Sequence, residues 1–164
     1  MKCINCNEHE ANKESGWCNQ CEQLEIHKIN GVLYLPALGL IITVLLSIFG
    51  GYQITQILLY YYENTQAIPT FYIGAIVLQF SYIALTLLAC WFFFNKKKVI
   101  KKVIIPYYIF ALIITLYFTV GLSSVYGAKL TSTDFQQIIS STFSAIIWVS
   151  YFLRSKRIAQ VFTQ

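Results

Sequence analysis

Cys3 and Cys6 form one C-x-x-C pair, and Cys18 and Cys21 form a second. Two such pairs joined by a short loop can turn four thiolates toward one tetrahedral ion. Zinc suits that shell because four sulfurs at about 2.3 Å satisfy it and it has no redox chemistry. Iron in a four-sulfur site is the chemical alternative. A segment of roughly 30 residues cannot bury enough core to fold unaided. Metal binding would supply its folding energy, on the order of 10 kcal/mol. The expectation is therefore a structural Zn²⁺ on Cys3, Cys6, Cys18 and Cys21. A full four-sulfur shell leaves His9 and His27 as bystanders, with Trp17 packed over the knuckle. Redox-active dithiols would need a thioredoxin-like βαβ context, which is missing here. Disulfides would need an oxidising compartment.

Charge limits what this segment can touch. Up to Asn30 it carries Lys2, Lys13 and Lys28 against Glu8, Glu10, Glu14, Glu22 and Glu25, a net of −2. Four thiolates on one divalent ion add further negative charge. Nucleic-acid binding depends on cationic contacts to phosphate, so a nucleic-acid partner is excluded. A protein partner, or plain structural capping, fits better.

The rest of the chain must position this module, and it is very apolar. The whole chain is 57% hydrophobic and only 12% charged, against about 25% charged in soluble domains. Four segments, at 32–54, 71–94, 103–122 and 135–153, contain no Asp, Glu, Lys, Arg or His. Each has about the 20 residues needed to cross the hydrocarbon of a bilayer. No cleavable signal peptide is expected, and the first span should act as a signal anchor. Lysines before the first span, the run Lys96–Lys98 with Lys101 and Lys102, and the group Arg154, Lys156 and Arg157 all fall on one side of a four-span layout. Of the two loops on the other side, only the second carries a basic residue, Lys129. By the positive-inside rule both termini are then cytoplasmic. Tyr60, Tyr61 and Tyr62 on one side, and Trp91, Tyr151 and Phe152 on the other, suit interfacial anchors.

Within the spans, small residues at helical spacing predict close helix contacts: Ser47 with Gly51, Ser140 with Ser144, and Ser141 with Ala145. Gln79, Thr86, Thr115 and Thr119 are expected to bond across helices or to their own carbonyls. Pro36 and Pro106 each sit near the start of a span, and Asp134 is expected to cap the last helix. Pro36 before Leu40–Thr43 echoes Pro106 before Leu112–Thr115, as two hairpins would. Gln136, Gln137, Ser140, Ser141, Thr142 and Ser144 could line a small wet path. No intramembrane acid, base or histidine is present for a proton relay. Cys90, alone in the second span, is expected to be a small apolar residue. The sequence holds no Ser-His-Asp grouping, carboxylate pair or H-E-x-x-H motif, so no enzyme is expected.

Two resemblances sharpen this. The stretch Gly31-Val-Leu-Tyr-Leu-Pro36-Ala-Leu-Gly39-Leu and the ending Ile147-Trp148-Val-Ser-Tyr151-Phe152-Leu-Arg154-Ser155-Lys156-Arg157 resemble the first and last spans of YdgK-like bacterial inner-membrane proteins, a domain-of-unknown-function family. The likeness covers 31–162 and departs at Ser150, where proline is the family's expected residue. It implies four spans in a bacterial inner membrane and carries over no activity or catalytic residue. Residues 1–30 resemble short zinc ribbons, with Asn7 and Glu22 standing where glycine commonly follows each pair. Asn tolerates a left-handed turn and Glu less so. The expected protein is an all-α membrane protein: a four-transmembrane-helix bundle (31–164) preceded by a cytoplasmic zinc-ribbon knuckle (1–30). Its expected function is protein interaction or regulation at the ribbon. The alternative is a small oligomeric transporter or channel component, and a homo-oligomer is compatible with either.

Overall fold

The computed structural model describes residues 2–13, 15–26, 29 and 31–163. Glu14, His27, Lys28 and Asn30, which entered the charge balance, the bystander histidines and the domain boundary above, lie outside the described residues. Among those residues regular structure is helical, apart from one antiparallel bridge between Lys2 and Glu10. Helix α1 spans Asn19–Ile26. A 3₁₀ turn, Gly31–Leu33, leads into α2, Tyr34–Thr65, and α3 spans Thr70–Phe94. Helix α4, Ile100–Leu116, continues through a π-helical segment, Tyr117–Gly121, into α5, Leu122–Tyr126. Then come α6, Ser132–Arg154, and α7, Lys156–Val161.

Among the described residues three helical stretches are long and apolar enough to cross a membrane: Gly31–Thr65, Thr70–Phe94 and Ile100–Tyr126. Helix α6, at 23 residues, has the length but less apolar character. Asp134, Gln136, Gln137 and its serines dilute it. The helices are inside-out by the standards of a water-soluble fold. Leu38, Leu45, Leu46 and Phe49 of α2 are more than half exposed, while Ser47, Gln79 and Thr86 are buried. Such a pattern belongs to a membrane protein, where association runs through small and polar contacts rather than large apolar ones.

The helices extend past several expected limits. Helix α2 continues beyond residue 54 because Gln53 and Gln56 are good helix formers. It stops at Gln66, whose left-handed backbone (φ 51°) lets its N–H donate to the Tyr62 carbonyl. Only Gln66–Pro69 separate α2 from α3. Helix α3 ends with Lys96 at φ 52°. Lys97 N donates to Phe92 O and Lys96 N to Phe93 O, the paired bonds of a Schellman stop. Pro36 lies in the first turn of α2, where no N–H is needed, whereas Pro106 is interior to α4. Asp134 is not the cap of α6, because the helix starts at Ser132. Thr131 is the cap, and its hydroxyl accepts from Asp134 N at 3.3 Å. Asp134 Oδ2 in turn accepts from Thr131 N at 2.7 Å, a capping box.

Packing follows the chain as two hairpins, α2 with α3 and α4 with α6, joined through α3 and α4. No comparably extensive packing joins α2 to α6, so the arc stays open on that side. In the first hairpin Gln79 Nε2 donates to Ser47 O at 2.6 Å. Gly51 lets α3 come close: a Cβ there would lie 3.3 Å from Ile83 Cδ1. One end of the arc is closed by a buried cluster from five helices. It includes Leu40, Phe93, Ile104, Phe152, Ile158 and Phe162. The Phe93 ring lies 5.2 Å from Phe162 and 6.4 Å from Phe152. At the other end the π-helical segment aims Tyr117 at α3. Its ring stacks on Phe71 (4.7 Å, 9°) and its hydroxyl donates to Phe71 O at 2.7 Å.

A Cβ on Gly74 would collide with that Tyr117 hydroxyl. Gly74→Ala should therefore destabilise the protein by about 1–3 kcal/mol. Tyr117→Phe should cost about 1 kcal/mol or less. The double variant should be more stable than the two losses added together, because removing the hydroxyl makes room for the methyl. Thermal unfolding of the four proteins in one detergent checks this.

Candidate metal centre and the cleft between the helices

The four cysteines expected from sequence come together. Their sulfurs all lie within 4.8 Å of one another, and Cys6 Sγ is 3.7 Å from Cys18 Sγ. A tetrahedron of sulfurs around zinc at about 2.3 Å has edges of about 3.8 Å. A disulfide needs about 2.05 Å, and all five cysteines are free. Cys3, Cys18 and Cys21 are buried and Cys6 is half-buried, with Trp17 packed against them. In a segment this short, three buried thiols with no apolar core around them fit a metal far better than they fit packing. The donor set could hold zinc or iron.

Local bonds explain the shape. Cys3 N donates to His9 O at 2.9 Å and Asn7 N to Cys3 O at 2.9 Å, closing a turn around the first pair. Asn7 sits at φ 55°, the left-handed position foreseen for it. The second pair is built differently. Cys18 precedes α1 and Cys21 lies in its first turn, with Glu22 N donating to Cys18 O at 2.9 Å. Glu22 is helical, so the missing glycine there carries no strain. Its carboxylate instead accepts from Asn12 Nδ2 at 2.8 Å and Ser15 Oγ at 3.3 Å, holding the intervening loop to α1. Gly16 closes that loop at φ 70°, where a Cβ would meet Ile4 Cδ1 at 2.8 Å.

The sulfurs also have partners that the spacing did not reveal. Cys18 N donates to Cys3 Sγ at 3.2 Å, and Asn5 Nδ2 to Cys21 Sγ at 3.6 Å. His9 Nδ1 lies 4.0 Å from Cys6 Sγ, beside the cluster rather than in it. The Glu8 and His9 amides, and then the His9 ring, bring the Cys6 thiol down to about 6. The Cys6 and Cys18 amides lower Cys3 as well. The neighbouring Cys18 sulfur pushes Cys21 up to about 12. Cys6 thus meets a metal as a thiolate and Cys21 as a thiol, whose proton the ion displaces. Cys90 lies apart from the cluster, in α3, within the apolar stretch that was expected to hold it as a packing residue.

A second arrangement lies among the long helices. A cleft of about 650 Å³ opens on the side where α2 and α6 do not pack. Gln136, Gln137, Ser140, Ser141 and Ser144 line it, as the sequence suggested for a polar path. Thr142 does not line it and bonds back to Ile138 O at 2.8 Å. The sequence did not reveal Tyr82, Tyr107 and Tyr108 as the opposite wall. Tyr107 also donates to Thr43 Oγ1 at 3.2 Å, across 64 positions of sequence. No residue lining the cleft is Asp, Glu, Lys, Arg or His.

Residues 26–163 match the model of a family described as "Protein of unknown function (DUF2569)". No curated protein and no solved structure matches the chain.

Replacing Cys3 and Cys18 together with serine should remove one equivalent of bound metal per chain, read by elemental analysis of the purified protein. Chelation of the unaltered protein should unfold residues before α2 and leave the helical signal of α2 to α6 intact. Metal uptake at pH 7 should release the Cys21 proton, so apparent affinity should fall as the pH is lowered. Metal content equal in the serine variant and the parent would remove the cysteines as its ligands.

Proposed function

The chain belongs to the DUF2569 family of proteins of unknown function, and we propose that it is a non-enzymatic bacterial inner-membrane protein whose N-terminal module is a zinc-stapled protein-interaction element. The observation that carries this is the four-sulfur cluster joined directly to long apolar helices. The metal would be a structural zinc, held by Cys3, Cys6, Cys18 and Cys21 in a ribbon-like knuckle. The acidic residues around it, Glu8, Glu10 and Glu22, suit a basic protein surface and repel nucleic acid.

In this reading α6 makes a fourth crossing of the bilayer, in the manner of YdgK-like proteins. Its length allows that, and its polar groups turn to the cleft rather than to lipid. Four crossings put both termini in the cytoplasm, beside Lys96–Lys98 and Arg154, Lys156 and Arg157. The module is then kept in a reducing compartment, where its thiols stay available to metal.

A second reading, a small oligomeric transporter or channel component, is favoured by the polar cleft alone.

Reporters fused to each end should both show cytoplasmic activity in bacteria. Reporters on opposite sides would leave three crossings and place α6 at the membrane surface. In the same cells, proteins that co-purify with the full chain should be lost from the Cys3→Ser/Cys18→Ser variant. A partner retained by that variant would move the interaction from the module to the helices.

A further inference from the structure

The cleft bordered by α2, α3, α4 and α6 offers hydrogen-bonding groups that have nothing to bond. In apolar surroundings a serine or threonine on a helix usually turns its hydroxyl back to the carbonyl one turn earlier. This chain does so repeatedly. Thr43, Thr55, Ser81, Thr86, Thr115 and Thr142 each donate to the carbonyl four residues before them, at 2.7–2.9 Å. The three serines of the cleft depart from that habit. Among the described residues the hydroxyls of Ser140, Ser141 and Ser144 make no hydrogen bond, and that of Ser141 is buried while Ser140 is exposed and Ser144 half-buried. A buried hydroxyl without a partner is destabilising, so the Ser141 hydroxyl, with those of Ser140 and Ser144 beside it, is held ready for something that enters the cleft.

We propose that the cleft binds an uncharged, hydroxyl-rich ring compound, a sugar, either free or as the headgroup of a glycolipid. Three observations select that chemistry. First, the lining has hydroxyls and amides but no acid or base. A charged ligand would lose its hydration there and find no counter-charge. Second, the wall facing the serines is aromatic. Tyr82 and Tyr107 stack on each other (5.9 Å, 13°) and Tyr107 is only 4% exposed, so half-buried Tyr82 and Tyr108 present the ring surface left for the C–H face of a sugar, with no slot for a flat aromatic ligand between the stacked rings. Third, the volume of about 650 Å³ falls within the range of small-molecule sites. Such sites join apolar walls to a few fixed polar groups, here Ser140, Ser141 and Ser144 with Gln136 and Gln137 toward the far end. The proposal concerns binding and holds whether or not the chain moves its ligand.

The test uses the full chain with its metal, reconstituted in phosphatidylcholine nanodiscs. Maltose and glucosyl diacylglycerol are the uncharged probes, and glucose 6-phosphate and phosphatidylglycerol are their charged counterparts. Tyrosine fluorescence, with Tyr82, Tyr107 and Tyr108 in the cleft wall, reads occupancy. Saturable binding of one uncharged probe is expected, at least tenfold tighter than its charged counterpart. Maltose as the tight probe points to a free sugar, and the glycolipid to a membrane source. Ser141→Ala should weaken that binding about tenfold, yet raise the melting temperature of the unliganded protein, since it removes an unpaired hydroxyl. Ser144→Ala provides a second variant with the same expected loss of binding. Ser150→Ala, on α6 but outside the cleft, should leave binding unchanged. The proposal is overturned if neither uncharged probe binds saturably, or if the charged probes bind equally well. It is overturned too if Ser141→Ala lowers stability while leaving affinity intact.

Discussion

The packing of Phe93 against Phe152 and Phe162 ties the chain together at one end, and much else follows from it. Phe93 closes α3, Phe152 lies near the end of α6, and Phe162 follows α7. With Leu33, Leu40, Ile100 and Ile104 they make a cluster drawn from distant parts of the sequence. Apart from the Tyr107 hydroxyl its buried members are apolar, so the cluster is largely non-directional and needs little exact hydrogen-bond geometry. It nevertheless fixes where five helices meet. It also gathers the basic residues, because Lys96–Lys98 follow Phe93 directly and Arg154 to Arg157 follow Phe152.

Away from that cluster the helices are held by small residues and single hydrogen bonds. Gly51 lets α3 approach, Ala75 is fully buried, and Gln79 reaches the Ser47 carbonyl. Such contacts hold two hairpins without closing a ring. The unclosed side, between α2 and α6, becomes the polar cleft. The amphipathic character of α6 is therefore matched to an absence of packing. A fully apolar α6 would have no reason to leave Ser140, Ser141 and Ser144 facing a cavity.

The N-terminal module is stabilised by a different means. It has almost no apolar core, only the cysteines and Trp17. Its geometry is set by amide-to-sulfur bonds, by Asn7 and Gly16 in left-handed turns, and by Glu22 clasping the loop. These bonds are few, so a metal shared by four sulfurs is the natural source of cohesion.

The sequence by itself determined that the four cysteines could come together, because C-x-x-C spacing acts within a single turn. It also determined the apolar helices, because twenty uncharged residues leave few other solutions. The position of Asn7 was legible for the same local reason. Local pattern did less well at helix ends: Thr131 rather than Asp134 caps α6, and α2 runs on to Thr65. Those limits depend on competing caps that composition does not rank. Only the tertiary structure decided which side chains face one another. It brought Tyr107 to Thr43, set three tyrosines across from the serines, and left Ser141 unpaired. No periodicity within one helix encodes the rotation of its neighbour, and the cleft exists only in that relative rotation.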